Sequence, residues 1–287
     1  MSARATPAKR SAASKPINWW HELRGIVLAL LAVFAFECAI AKQFYIPSIS
    51  MMPNLLVGDR LVVSKYPYGY NWSSVIFHLL PRGEWRAMGG VPQYGDIVVV
   101  VPSNRKEDLI KRVIGLPGDR IAVVNGQIVL NGKKVPQVVE PALELPVDAY
   151  QPCDQVTFPG MLARLPSGKQ VCEMPVLRET LPNGATYRII DHLDQTLDHM
   201  PEIVVPKDHL FLMGDNRDHS ADSRAPTWEN GLGGPVPLSD ISGRAEFVTW
   251  SWDGNEGWNP LSWWNALRRD RAWHSLRPPL APQGVAH

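Results

Sequence analysis

The sequence LIKRVIGLPGDRIAVVNGQIVLNG at residues 109–132 shows most directly which fold this chain adopts. Its three short runs of β-branched and other apolar residues have the composition typical of β-strands. They cover residues 109–116, 120–124 and 127–130. The pairs Asn125-Gly126 and Asn131-Gly132 flank the third run, and an Asn-Gly pair between two such runs predicts a two-residue type I′ turn. The stretch therefore predicts a compact antiparallel meander with tight hairpin turns.

Similar short runs occur before and after this stretch. They cover residues 60–65, 96–101, 209–213 and 244–252. The chain contains 26 Pro and 22 Gly in 287 residues, which favours a protein of strands and loops over a helical one. We expect a mainly β, antiparallel domain formed by residues 43–135 and 206–287. Between residues 136 and 205 the strand pattern loosens and Pro recurs, so we expect an inserted, smaller β-rich subdomain there.

Composition excludes several classes of function. The hydrophobic fraction is 45%, which excludes wholesale disorder and a polytopic membrane bundle. The formal net charge is +1 and no long basic stripe is present, so we expect no nucleic-acid partner. The His and Cys residues lack the spacing of metal ligands, and we therefore expect no metal.

Charge is distributed unevenly along the chain. Residues 1–24 contain five basic residues and one acidic residue, for a charge of +4, which leaves −3 for the rest. An apolar stretch at 25–41 follows Trp19-Trp20, aromatic residues of the kind found at membrane interfaces. It is least consistent with a buried core helix. A cleaved secretory signal and a retained membrane anchor both remain open, and both place residues 43–287 outside the cytoplasm.

The cysteines provide a second indication of compartment. Cys153 and Cys172 close a loop of about 20 residues within the inserted segment. In an oxidising compartment such a pair is expected to form a disulfide, worth up to about 3 kcal/mol in the chain-entropy model. Two free thiols are the alternative. Cys38 lies in the apolar segment and is expected to remain unpaired.

Three polar clusters lie beside apolar strands. They are PSISMMP at 47–53, Lys111-Arg112, and GDNRDHSADSR at 214–224. Taken singly, each has an ordinary explanation as a turn, a solvent-facing charge or a solvated loop. The common hydrolase motifs G-x-S-x-G and H-E-x-x-H are absent. Any catalytic function therefore depends on the three clusters in combination.

Together the clusters resemble the sequence boxes of bacterial type I signal peptidases, peptidase family S26. These are membrane-anchored Ser/Lys endopeptidases that remove signal peptides from exported proteins. The family patterns P-S-x-S-M-x-P, K-R-x-x-G-x-P-G-D and G-D-N-R-D-x-S-x-D-S-R correspond to residues 47–53, 111–119 and 214–224. The resemblance covers about 44–135 and 205–255. Two departures are Asn54, where Thr is common, and His219, where Asn is common.

The resemblance implies a role for each matching residue. Ser50 would be the nucleophile and Lys111 its general base, while Ser220 would hydrogen-bond to the lysine and orient it. Ser48 would supply a hydroxyl to the oxyanion hole together with the backbone N–H of Ser50. Lysine acts as a base only when neutral, and burial among apolar residues disfavours its ammonium form. The apolar neighbours of Lys111 in the sequence are consistent with that requirement. This chemistry requires no metal and no cofactor, and we expect neither.

Other matching positions would support the site or shape its pockets. The implied structural residues are Asp215, Asp222 and Arg224, the last two as an ion pair beneath the site. The implied lining of the shallow pockets for small substrate residues at −1 and −3 consists of Ile46, Leu55 and Ile110. The resemblance thus describes a mainly β, antiparallel catalytic domain of the signal-peptidase type.

The resemblance also favours the retained anchor. It implies a cytoplasmic basic tail at 1–24, one transmembrane helix at 25–42, and a catalytic domain on the outer, periplasmic side of the bacterial inner membrane. The expected partners are signal peptides of exported preproteins and the lipid bilayer, and the expected state is a monomer. Two alternatives are a Ser/Lys protease of another kind, such as a self-cleaving repressor-type domain, and a catalytically silent envelope-binding module.

Overall fold

Strands predominate in the computed structural model, which describes residues 18–74, 80–103 and 107–281. Within these ranges there are two α-helices, α1 Trp19–Ala39 and α2 Pro260–Asn265. The strands are β1 Ala41–Tyr45, β2 Asp59–Ser64, β3 Tyr70–Asn71, β4 Arg86–Ala87, β5 Ile97–Val100, β6 Leu109–Gly115, β7 Arg120–Val124, β8 Gln127–Leu130, β9 Lys133–Lys134, β10 Gln137–Pro146, β11 Leu162–Arg164, β12 Gln170–Thr180, β13 Thr186–Ile189, β14 His199–Val204, β15 His209–Met213, β16 Val236–Pro237 and β17 Ile241–Ser251. The predicted mainly β fold is confirmed.

The main sheet has seven antiparallel strands in the order β1-β2-β17-β5-β6-β15-β16. Strand β17 pairs with β2 on one side and β5 on the other. The last of the described strands therefore lies between two early strands. Both faces of β5 are covered. Ile97 and Val99 pack in one buried apolar cluster, and Val98 and Val100 pack in another. Burial on both faces explains why this strand is apolar throughout instead of alternating.

The predicted meander is wrong in one respect, because β6 and β7 do not pair. Strand β6 lies between β5 and β15 in the main sheet, whereas β7, β8 and β9 form a second sheet with β14. Pro117 and Gly118 turn the chain out of the main sheet, and Gly118 has a positive φ of 91°. The carboxylate of Asp119 accepts the backbone N–H of Leu116 at 2.7 Å and fixes this turn.

Both predicted hairpin turns are confirmed. Asn125 and Gly126, between β7 and β8, have φ values of 51° and 75°. Asn131 and Gly132, between β8 and β9, have φ values of 54° and 77°. Positive φ at both central residues is the requirement of a type I′ turn, and it explains the Asn-Gly sequence at each position.

Strands β10–β13 form a separate sheet, here called the inserted sheet, in the order β10-β12-β11 with β13 on β12. The sequence pattern looks loose there because Pro141 and Pro175 interrupt two long strands. Both prolines lie where the β10–β12 register shifts between the Glu140–Val176 and Leu143–Met174 pairs. A bulge tolerates a residue that lacks an N–H. Strand β14, although within 136–205, pairs with β7 instead of the inserted sheet.

Cys153 and Cys172 form a disulfide in the structure, with their Cα atoms 5.7 Å apart. The bond lies in an apolar cluster of the inserted sheet that also contains Met52 and Leu56. Those two residues follow Ser50 closely in the chain. The inserted sheet therefore packs directly against the segment that contains Ser50.

Helix α1 has 21 residues and carries Glu22 in its first turn. Across the ranges that the structure describes, no helix combines the length and the apolar character needed to cross a bilayer. The transmembrane anchor predicted at 25–42 is therefore not confirmed. Its last two residues, Ala41 and Lys42, belong instead to β1, where they pair with β2. Of the predicted basic tail at 1–24, residues 1–17 lie outside the described ranges.

We predict that the disulfide stabilises the inserted sheet. Replacing both Cys153 and Cys172 by Ala should lower the free energy of unfolding by about 3 kcal/mol, because the unfolded chain regains the entropy of the closed loop. Urea unfolding followed by circular dichroism measures the change, and reduction of the unsubstituted protein should have a similar effect. Equal stability of the oxidised, reduced and substituted proteins would contradict this prediction.

Candidate active site

Ser50 and Lys111 lie side by side although 61 positions separate them in the chain. Lys111 Nζ donates a hydrogen bond to Ser50 Oγ at 3.0 Å. Both side chains are nearly inaccessible to water, with exposed fractions of 7% for Ser50 and 2% for Lys111. A hydroxyl within hydrogen-bond distance of a buried amine is the arrangement needed for a nucleophile and its general base.

Ser50 lies in the chain segment between β1 and β2, residues 46–58, here called the Ser50 segment. Backbone hydrogen bonds fold it into successive turns, among them Met52 N–H to Ile49 O at 3.0 Å and Leu55 N–H to Met51 O at 2.9 Å. Met51 and Leu55 are fully buried and pack in the apolar cluster of the main sheet. Ile46, which precedes Ser50, packs in the same cluster. Since buried side chains before and after Ser50 fix the segment, the hydroxyl has a defined position.

Lys111 lies on β6, where it is paired with Val98 of β5. Its Nζ also donates a hydrogen bond to the carbonyl oxygen of Ile110 at 2.9 Å. The strand continues through Val113 and Ile114, which are fully buried. The lysine therefore projects from a rigid, largely apolar strand.

Ser48 and Ser220, the other two serines of the expected site, differ in burial and in their contacts. The Oγ atoms of Ser48 and Ser50 are 3.4 Å apart, and Ser48 is exposed at the surface. Ser220 is buried, but its Oγ has no hydrogen-bond partner among the described residues. The expected hydrogen bond from Ser220 to Lys111 is therefore not formed in this structure.

Gly214 brings Ser220 close to the Ser50 segment. A Cβ atom at this glycine would lie 2.2 Å from Ser220 Oγ and 2.5 Å from the carbonyl oxygen of Ser50. Both separations are far below van der Waals contact. Only glycine therefore allows the loop at residues 214–224 to approach Ser50 this closely.

Asp215 connects three parts of the site through its carboxylate. The Nε and Nη2 atoms of Arg112 donate to its two oxygens at 2.7 and 2.6 Å. Asn54 Nδ2 donates to Oδ2 at 2.7 Å and also to the carbonyl oxygen of Arg188 at 2.7 Å. Arg112 is adjacent to Lys111, and Asn54 belongs to the Ser50 segment. The carboxylate therefore joins the strand that contains Lys111, the Ser50 segment and the 214–224 loop.

Asp222 and Arg224 form a second buried ion pair within the same loop. Arg224 donates through Nε and Nη2 to the two carboxylate oxygens, each at 3.0 Å. The backbone N–H of Gly214 also donates to Asp222 at 3.0 Å. Burial by itself would raise the pKa of Asp222, but Arg224 and the backbone donors outweigh it and hold this pKa below its usual value. Asp222 is therefore ionised and closes the loop on itself.

Asn216 contacts the Ser50 segment directly. Its backbone N–H donates to the carbonyl oxygen of Ser50 at 3.1 Å, and its side chain donates to Ile49 O at 3.3 Å. Sequence reasoning did not assign Asn216 or Asn54 a role. Asn216 stands inside a matched box, which is a signal that was available, whereas nothing local to Asn54 indicates its bond to Asp215.

A cavity of about 240 Å³ opens beside Ser50 and Lys111. Residues 44–48 and 107–111 line most of it, together with Val99. Ile46 and Ile110 belong to this lining, as the resemblance implied, but Leu55 does not. Leu55 is 0% exposed and packs beneath the cavity in the main-sheet core. Glu107 and Asp108 also reach the cavity, and the sequence did not indicate them.

The described residues contain no group of three or more His, Cys, Asp and Glu side chains placed to hold a metal ion. The site is instead composed of a hydroxyl, an amine, backbone amides and two buried ion pairs. Such a set of groups can activate a hydroxyl for attack on a carbonyl carbon and transfer a proton.

Comparison with known proteins places these features in a family context. The family model described as "Signal peptidase, peptidase S26" matches residues 19–250. Signal peptidase I of Rickettsia akari is 30% identical over 265 residues, which cover 89% of this chain and 87% of that protein. Signal peptidase I of Rickettsia typhi is 29% identical over 256 residues, which cover 85% of this chain and 83% of that protein.

A solved structure of signal peptidase I from Enterococcus faecalis is 19% identical to this chain and covers 54% of it and 97% of its own length, with a TM-score of 0.28. The sequence matches, which extend over most of the chain, carry the family relationship.

We predict that the Asp215 carboxylate is essential for stability. Asp215→Asn should cost about 3–5 kcal/mol of unfolding free energy, because it leaves the buried guanidinium of Arg112 without a countercharge. Urea unfolding measures the loss. As a matched control, Glu202→Gln removes the carboxylate of the exposed Arg120–Glu202 pair and should leave the unfolding midpoint nearly unchanged. Similar destabilisation by both substitutions would refute the assigned role of Asp215.

Proposed function

The chain belongs to the signal peptidase family, peptidase S26, and from that premise we propose that it is a serine endopeptidase that removes N-terminal signal peptides from exported preproteins. The observation that supports this most strongly is the 3.0 Å hydrogen bond between Lys111 Nζ and Ser50 Oγ. A buried amine beside a serine hydroxyl has no need of a histidine, because the neutral amine itself accepts the proton.

The proposed reaction begins when neutral Lys111 takes the proton of Ser50 Oγ as this oxygen attacks the scissile carbonyl carbon. The tetrahedral oxyanion receives hydrogen bonds from the backbone N–H of Ser50 and from the Ser48 hydroxyl. The Lys111 ammonium then returns its proton to the amine of the mature protein, which leaves. Water, deprotonated by the same lysine, attacks the acyl-enzyme, and the bond between the acyl carbon and Ser50 Oγ breaks as the ammonium returns its proton to Oγ. The signal peptide leaves as a carboxylate, and Ser50 and neutral Lys111 are regenerated.

Ser220 is proposed to orient Lys111 during this cycle. Its Oγ is buried and has no hydrogen-bond partner among the described residues, and it lies against Gly214 close to the Ser50 carbonyl. An unsatisfied buried hydroxyl is costly, so a partner during turnover is favoured. The resemblance assigns the neutral amine of Lys111 as the hydrogen-bond partner of Ser220 Oγ.

The cavity next to Ser50 supports a preference for small substrate residues. Its volume of about 240 Å³ has to hold all the substrate side chains that bind beside Ser50. Ile46 and Ile110 give it apolar walls, which favour small apolar side chains. We propose that these walls receive the residues at −1 and −3 before the cleaved bond.

Cleavage is proposed to occur at a membrane, on the outer face of the bacterial inner membrane. The Cys153–Cys172 disulfide supports this location, since disulfides persist in oxidising compartments outside the cytoplasm. The basic residues before position 25 support an orientation with the N-terminus in the cytoplasm. The proposed partners are the signal peptide and the bilayer in which it is embedded.

We predict that Ser50→Ala and Lys111→Met each abolish cleavage of a purified preprotein, because one lacks the nucleophile and the other the base. Ser48→Ala should retain activity but lower kcat by about 10²–10³-fold, as expected for loss of one oxyanion donor. The shortened product is measured by gel electrophoresis and mass spectrometry.

The exposed Ser167 provides the matched control, and Ser167→Ala should cleave like the unsubstituted protein. All variants should unfold at similar urea concentrations. Full activity of Ser50→Ala or of Lys111→Met would contradict the proposed function. So would a preprotein that stays intact with the unsubstituted enzyme.

A further inference from the structure

A carboxylate of the inserted sheet forms an ion pair with an arginine of the 214–224 loop. Glu179 lies on β12 and is 0% exposed. Its Oε1 accepts a hydrogen bond from Arg217 Nη1 at 3.1 Å, and its Oε2 accepts one from Arg217 Nη2. The contact joins two elements that are 38 residues apart in the chain. Through this ion pair the inserted sheet contacts the 214–224 loop.

Arg217 transmits this contact toward the nucleophile. Its Nε donates to Gly214 O at 3.1 Å, and its backbone N–H donates to Ile190 O at 2.7 Å, immediately after β13. The preceding residue, Asn216, donates its backbone N–H to Ser50 O at 3.1 Å. The position of Arg217 therefore determines where Asn216 meets the Ser50 segment.

The surroundings of Glu179 hold its carboxylate in one orientation. Tyr187 donates its hydroxyl to Oε2 at 2.6 Å, and Gln137 donates to Oε1 at 3.0 Å. The ring of Tyr187 lies 4.0 Å beneath the guanidinium of Arg112. Burial alone would raise the pKa of Glu179, but Arg217 and the two neutral donors outweigh it and lower this pKa, so the carboxylate is ionised.

We propose that Glu179 and Arg217 are positioning residues, through which the inserted sheet sets the distance between the 214–224 loop and Ser50. The expected effect on kcat rests on the proposed function, whereas the expected effect on the position of the loop does not. Replacing a buried ion pair by apolar side chains of similar volume is often neutral for stability. We therefore expect this pair to determine the position of the 214–224 loop more than the free energy of unfolding.

The experiment compares the double variant Glu179→Leu/Arg217→Met with the single variant Glu179→Gln. The single variant leaves a buried guanidinium unpaired and should unfold at lower urea concentration. The double variant contains no unpaired charge and should unfold at higher urea concentration than the single variant, although Tyr187 and Gln137 lose an acceptor. It should not regain the function. Its kcat per folded molecule should fall about 10- to 100-fold, as expected for a misplaced catalytic group, with KM within about twofold.

A second readout is independent of the substrate. Amide hydrogen exchange at Asn216 should be at least about tenfold faster in the double variant, because its N–H loses a fixed acceptor at Ser50 O. Exchange in β10 and β12 should stay slow. Glu140→Gln is the matched control: it removes the Glu140 contacts to Arg178 and Arg188 on the same sheet and should change neither exchange at Asn216 nor kcat.

Unchanged exchange at Asn216 in the double variant would overturn the proposal, and so would an equal effect of Glu140→Gln. Unchanged kcat in an enzyme that cleaves preproteins would overturn it as well. Faster exchange at Asn216 in a protein that cleaves no preprotein would support the positioning role and would refute the proposed function instead.

Discussion

The carboxylate of Asp215 is the interaction on which the candidate site depends. It is buried, it binds the guanidinium of Arg112 through two hydrogen bonds, and it receives a third from Asn54. Lys111 lies on the strand of Arg112, and Ser50 lies four residues before Asn54. This carboxylate of the 214–224 loop therefore binds both the lysine strand and the Ser50 segment. These hydrogen bonds hold together the elements that carry Lys111 and Ser50, whose Nζ and Oγ atoms are 3.0 Å apart.

Sequence patterns predicted local structure better than long-range pairing. The Asn-Gly turns and strand β8 were predicted because φ and side-chain alternation depend on neighbouring residues. The separation of β6 from β7 was not, because a strand's partner depends on contacts far away in the chain. The two long strands of the inserted sheet were obscured by Pro141 and Pro175, which lie at a bulge. The predicted membrane helix, read from apolar content, is not confirmed.

The three sequence boxes brought attention to the residues that the structure places together. Ser50, Lys111 and Asp215 are central to the site, but their roles came from resemblance and not from local chemistry. The contacts made by Asn54 and Glu179 span 161 and 38 positions and leave no mark in the sequence near either residue. Leu55 was assigned to a pocket, yet its side chain faces the core beneath it. The direction of a side chain is decided by packing, which a single sequence does not reveal.

Activation of Ser50 by the neutral amine of Lys111 is the central claim. The most direct measurement is kcat/KM for preprotein cleavage from about pH 5 to about pH 10, with the unsubstituted enzyme and with Lys111→Arg. The rate of the unsubstituted enzyme should rise with pH as the ammonium loses its proton. The arginine variant should be inactive throughout, because a guanidinium stays protonated and accepts no proton. A rate independent of pH, or cleavage by Lys111→Arg at the unsubstituted rate, would contradict the account.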